Sequence, residues 1–140
     1  MKDSSPRIIK EAVDKVQLID THEHLPQEKE RTAKDIDLFE TILIHYASSD
    51  LVSSGMSPEE LQEIRDARSP LEGRFKKFMP FWERIQNTGY ARAINIAARD
   101  LYSVNRIGED TYKELASRMK EANKKGIYKW ILKERSGIDI

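Results

Sequence analysis

The stretch LIDTHEHLP, residues 18–26, carries two of the chain's three histidines, His22 and His24, with one residue between them. In an extended backbone, side chains two positions apart point to the same face. The pair would then aim both imidazoles at one point while Glu23 faces the other way. Neutral imidazole is the commonest nitrogen ligand for zinc and similar ions. The spacing makes a divalent-metal site, with His22 and His24 as ligands, one of two readings of the pair. The polar loop after Leu25 leaves such an ion an open side. The plain alternative is two histidines that fall at this spacing by chance, a risk every short motif carries.

The elements that must position the pair can be read from periodicity and punctuation. VQLID, residues 16–20, is short and stops at a polar cluster, which predicts a strand. Ahead of it Ser5 and Pro6 start a helix, and Ile8, Ile9, Ala12, Val13 and Val16 carry it to about Lys15. Residues 26–34, PQEKERTAK, are polar and irregular and predict a loop. Asp35 is the expected cap of the next helix, whose stripe is Ile36, Phe39, Ile42, Leu43, Tyr46 and Ala47, with Gly55 as a left-handed end.

SPEEL, residues 57–61, is a capping box with Pro58 at the first helical position. Beyond Pro70, the residues Phe75, Phe78, Trp82 and Ile85 make a helical stripe that reads as core, and Gly89 ends it. Tyr90, Ile94, Ala97 and Leu101 share one side of the following helix. Tyr112, Leu115, Met119 and Ala122 mark another, closed by Gly126, and residues 128–133 add a short helical piece. The inventory is mostly α: about seven helices and one strand. A lone strand leaves backbone groups unpaired, so either VQLID is not a strand or its partners lie outside this chain.

Bulk composition narrows the function classes. Lys and Arg number 24 and Asp and Glu 24, for a formal net charge of +0, so no overall field draws the chain to nucleic acid or an anionic membrane. No cysteine is present, which removes disulfides and thiolate metal sites and suits a reducing compartment. No run approaches the roughly 18 apolar residues of a membrane span, and the first residues lack a signal-peptide core. A single cytoplasmic segment that binds neither nucleic acid nor membrane is the expectation.

LIDTHEHL resembles the first-strand metal motif of the amidohydrolase superfamily, metal-dependent enzymes on a (β/α)8 barrel. The resemblance implies that His22 and His24 bind the catalytic divalent metal, usually zinc, and that Asp20 and Thr21 shape the strand end. Residues 37–61 and 75–104 resemble the helical insertion between the first and second strands of uronate-isomerase-like members. There a His-Tyr pair on the first inserted helix reaches the substrate, which places His45 and Tyr46 as substrate-binding residues.

On that reading residues 1–25 are the first helix and first barrel strand, and residues 26–140 are the inserted helices. The chain departs from the pattern by stopping at LKERSGIDI, about where the second strand should begin, with no histidine left for the remaining ligands. The expectation is the N-terminal part of a (β/α)8 barrel enzyme that hydrolyses or isomerises a small polar, sugar-acid-like substrate. Alone it should be inactive; a second copy or a complementing chain would complete it. The other reading is a free-standing helical interaction protein with an incidental HxH.

Several other features have simpler accounts. His45 shares a helix face with Leu38, Ile42 and Val52, which suits a half-buried packing histidine. NTGYAR, residues 87–92, reads as a tight helix–helix connection more readily than a substrate-facing turn. The basic, amphipathic stretch from Ser117 to Arg135 reads as a solvated helix face. Nucleophile elbows, phosphate-binding glycine loops and EF-hand loops are absent.

Overall fold

Side-chain caps set where three of the described helices begin. The computed structural model describes residues 5–44 and 46–139. Its elements in chain order are α1 (Ser5–Val13), β1 (Leu18–Ile19), α2 (Glu28–Thr32), α3 (Leu38–Ile42) and α4 (Tyr46–Ser53). They continue with α5 (Pro58–Arg65), α6 (Leu71–Ile85), α7 (Gly89–Tyr102), α8 (Tyr112–Ala122), the π-helical α9 (Lys129–Arg135) and β2 (Ile138–Asp139).

The capping box of α5 is complete: Ser57 Oγ accepts from Glu60 N, and Glu60 Oε2 accepts from Ser57 N. Thr88 caps α7 by accepting from Ala91 N, while its own hydroxyl donates to Asp50 Oδ2 at 2.6 Å. The cap of α3 is Asp37 rather than the expected Asp35; its carboxylate accepts from Phe39 N and Glu40 N. Gly55 adopts φ 106° just after α4, whereas α8 stops at Ala122 on Asn123 (φ −76°, ψ 72°), ahead of the expected Gly126.

The apolar stripe from Ile36 to Ala47 predicts one helix, yet the structure divides it. Leu43 leaves helical geometry at φ −99°, ψ 36°. Its carbonyl, freed from the helix, accepts from Ser48 Oγ at 2.7 Å and from the Arg65 guanidinium of α5. A buried carbonyl must find a donor, and Arg65 supplies one across the turn. His45 falls at this break and lies outside the described residues.

Helices α3 to α8 enclose the core. Phe39, Phe78, Leu51 and Ile64 are wholly buried, and Trp82, Phe75, Leu115 and Met119 nearly so. The rings interlock: Phe75 stacks on Tyr112 with centroids 4.0 Å apart, and Phe39 meets Phe78 edge-on at 5.1 Å. The Phe75, Phe78, Trp82, Ile85 stripe is thus core, as its spacing predicts. Arg74 joins α6 to the start of α3. Its guanidinium forks onto both oxygens of Asp37 at 2.9 and 2.6 Å and also donates to the Ile64 and Ser69 carbonyls.

The barrel expectation is corrected here. Among the described residues there are nine helical segments and no barrel. The strands are two residues each, paired in parallel with Leu18 opposite Ile138 and Ile19 opposite Asp139. The strand expected to carry the histidines ends at Ile19. Asp20 Oδ1 accepts the His22 amide at 3.0 Å, which gives the backbone a local partner in place of a ladder, and Pro26 has no amide to donate. The expected loop at residues 26–34 contains α2, so the helical count also exceeds the seven expected. Helix α1 has no buried residue. No described helix is long and apolar enough to cross a membrane.

Candidate metal and ligand site

The loop that carries the histidines, residues 20–27, is fixed by short-range and long-range contacts. Asp20 takes the His22 amide, and the Glu23 carboxylate takes the Leu25 amide. From the far end of the chain, the Tyr128 hydroxyl donates to the Pro26 carbonyl at 2.7 Å, and Tyr128 N donates to Glu28 Oε1 at 3.0 Å. The Glu28 carboxyl is held below the usual carboxylate range by the backbone amides of Tyr128 and Gly126. Asn123 Nδ2, at the end of α8, donates to the Lys34 carbonyl at 3.1 Å. Residues 89 to 102 positions away thus hold both the loop and the region of α2.

Within this loop the two imidazoles converge. His22 Nε2 and His24 Nε2 are 3.1 Å apart, with ring centroids at 4.9 Å and planes at 80°. Both side chains are exposed. Metal–nitrogen bonds of about 2.0–2.1 Å at a near-tetrahedral angle hold two nitrogens roughly 3.3 Å apart, so one ion spans this separation with little adjustment. The donor set fits zinc or a similar divalent ion. It is incomplete, because among the described residues no group of three or more His, Cys, Asp or Glu side chains could hold a metal. Without an ion, one ring protonated on Nε2 donates to the other across the same gap.

His24 also lines a pocket of about 560 Å³. Helix α7 forms one wall through Tyr90, Ile94, Ala97 and Leu101, the stripe that its helical spacing predicts. Ile42 and Leu115 contribute apolar surface from α3 and α8, and Ile131 from α9. Tyr46 and Tyr90 stack at 5.0 Å with planes 18° apart, and both belong to the lining. Tyr102 lies deeper; burial pushes its phenol up, and the Arg31 charge pulls the other way.

Of the four residues singled out from sequence, the structure brings His24 and Tyr46 to one pocket and sets His22 against His24. It does not describe His45.

No family model, curated protein or solved structure matches this chain.

Arg31 is the lining residue that sequence reasoning missed. In KERTAK it looks like one more solvated charge. Here it is half-buried on α2, with its Cζ 6.0 Å from the Tyr128 ring centroid. Its Nε is buried with no hydrogen-bond partner among the described residues. No sequence signal marks it: Asp35 stands four residues on, as an ion-pair partner would, but lies beyond the end of α2. Tyr90 and Tyr102 were legible only as a helix stripe and as part of a diffuse likeness.

Proposed function

We propose that this chain serves a metal-dependent enzyme of the amidohydrolase type, with His22 and His24 as two ligands of a divalent ion and the adjoining pocket as the place where a small molecule sits. The observation that carries the reading is the 3.1 Å approach of the two Nε2 atoms beside a cavity that His24 itself lines. The LIDTHEHL motif gives the same assignment by resemblance. Zinc is the first candidate. When bound, such an ion would supply a polarised carbonyl or a water whose pKa is lowered toward about 7.

The chain's own groups hold and orient. Asp20 and Glu23 fix the loop through the backbone, Tyr128 clamps it at Pro26, and Tyr46 and Tyr90 shape the pocket rim. Catalytic zinc sites generally carry three protein ligands, and the described residues of this chain offer two good ones. A second copy or a complementing chain would bring the rest, and the exposed apolar face of α1 supports such a cover. The isolated 140 residues should therefore bind zinc weakly and turn nothing over. Hydrolysis and isomerisation are both open to such a site.

Metal content after exhaustive dialysis tests the reading. Wild type should retain a minor fraction of zinc that His22→Ala/His24→Ala loses. Equal, stoichiometric zinc in both proteins would refute it. The exposed Ile8, Ile9 and Val13 also favour a second reading, a helical interaction protein with an incidental HxH. On that account unfolding is indifferent to zinc and chelator, and both proteins bind the same partner.

A further inference from the structure

We infer that the pocket beside His24 binds a small ring-bearing apolar carboxylic acid, held by an ion pair to Arg31, in place of the hydroxyl-rich sugar acid that the motif's relatives suggest. The inference names the ligand class of the pocket already described and rests on the reading of that pocket as a small-molecule site.

Arg31 carries the argument for the charge. A guanidinium withdrawn from water needs a partner, and no carboxylate pairs with Arg31 among the described residues. Two acids, Glu23 and Glu28, act on the neighbouring Tyr128. They are committed elsewhere: Glu23 to the Leu25 amide, Glu28 to the Tyr128 and Gly126 amides. The side chains that feel the Arg31 charge are the neutral Tyr128 and Tyr102 phenols. A carboxylate from outside would neutralise the charge and give the buried Nε an acceptor. The planar fork of arginine suits a carboxylate in two-point contact.

The walls carry the argument for the body. Ile42, Ile94, Ala97, Leu115 and Met119 offer no hydrogen bonds, and the hydroxyl of Thr41 is already donated to the Asp37 carbonyl at 2.8 Å. A ligand with several hydroxyls would leave those that face these residues unpaired, which weakens its binding. A flat hydrocarbon ring loses nothing there and gains the faces of the tyrosines. The volume of about 560 Å³ lies within the range of small-molecule sites, about 300–1,000 Å³.

Calorimetric titration of the metal-free protein with 2-naphthoate, 2-naphthalenemethanol and glucuronate tests this. Naphthoate should bind, the neutral alcohol at least tenfold more weakly, and glucuronate more weakly still. Arg31→Met should weaken naphthoate at least tenfold and leave the alcohol unchanged. Ala97→Phe, which fills the wall without touching Arg31, should weaken both aromatic probes, and it keeps the test open if Arg31→Met fails to fold. His22→Ala, which lies outside the pocket lining, should bind naphthoate as wild type does while losing zinc, so the ligand and the metal assignments can fail separately. Naphthoate that ignores Arg31→Met, binds no better than glucuronate, or does not bind at all would overturn the inference.

Discussion

Arg74 and Arg31 place the same side chain in two electrostatic situations. Arg74 is 4% exposed and fully paired, by the Asp37 carboxylate, the Ile64 and Ser69 carbonyls and the Phe39 ring at 5.3 Å. Removing one member leaves the other charge buried, so Arg74→Ala should cost about 3–5 kcal/mol of unfolding free energy. Burial raises the Asp37 carboxyl, but the Arg74 fork and the Glu40 and Phe39 amides outweigh it and hold the group below its usual range. With the folded value below the unfolded value of about 3.9, the contribution is full above that pH. It is lost as pH falls through the folded value. Urea melts across pH 2–6 should show this acid-limb loss in wild type, and Asp37→Asn should be weaker throughout with a flatter limb. Arg31 has no such set of partners, which is why its charge is read as a ligand contact rather than as a strut.

At the scale of elements, caps and breaks decide what was legible. SPEEL could be read outright, because Ser57, Pro58 and Glu60 each satisfy a defined backbone need within four residues. Ser57→Ala should cost about 1 kcal/mol, measured by chemical denaturation. Helix α7 ends on Ser103 in the left-handed region at φ 55°, with Val104 N donating to the Ala98 carbonyl. Glycine adopts that geometry without a Cβ penalty, so Ser103→Gly should stabilise by roughly 0.5–1 kcal/mol. The break at Leu43 was not legible. Its carbonyl is satisfied by Arg65, 22 residues on, and no local pattern announces that partner. The tyrosine clamp on the histidine loop is equally remote, since Tyr128 reaches Pro26 across 102 positions.

For the whole molecule, apolar surface divides into a packed body and an uncovered arm. Phe78→Ala should cost about 3–5 kcal/mol, because the ring is fully buried among Phe39, Phe75 and Trp82. By contrast, Ile9→Glu with Val13→Glu should shift the unfolding free energy of the isolated chain by less than about 0.5 kcal/mol, since both side chains are exposed. The strand reading of VQLID survives only at Leu18–Ile19, paired with Ile138–Asp139. The amphipathic pattern of α1 correctly marks a helix, yet periodicity says nothing of what covers its apolar side. The pocket, too, needed the assembled helices: its walls come from α3, α7, α8 and α9, and Arg31 entered it from a segment expected to be loop.

The central claim is that His22 and His24 share one cation. Proton-detected nitrogen NMR of histidine-labelled protein during a zinc titration addresses it at the atoms concerned. The account predicts that the Nε2 resonances of His22 and His24 shift together, saturate at one zinc per chain, and revert on chelation. Independent shifts at different zinc levels, metal taken up through Nδ1, or no response of either ring would contradict it.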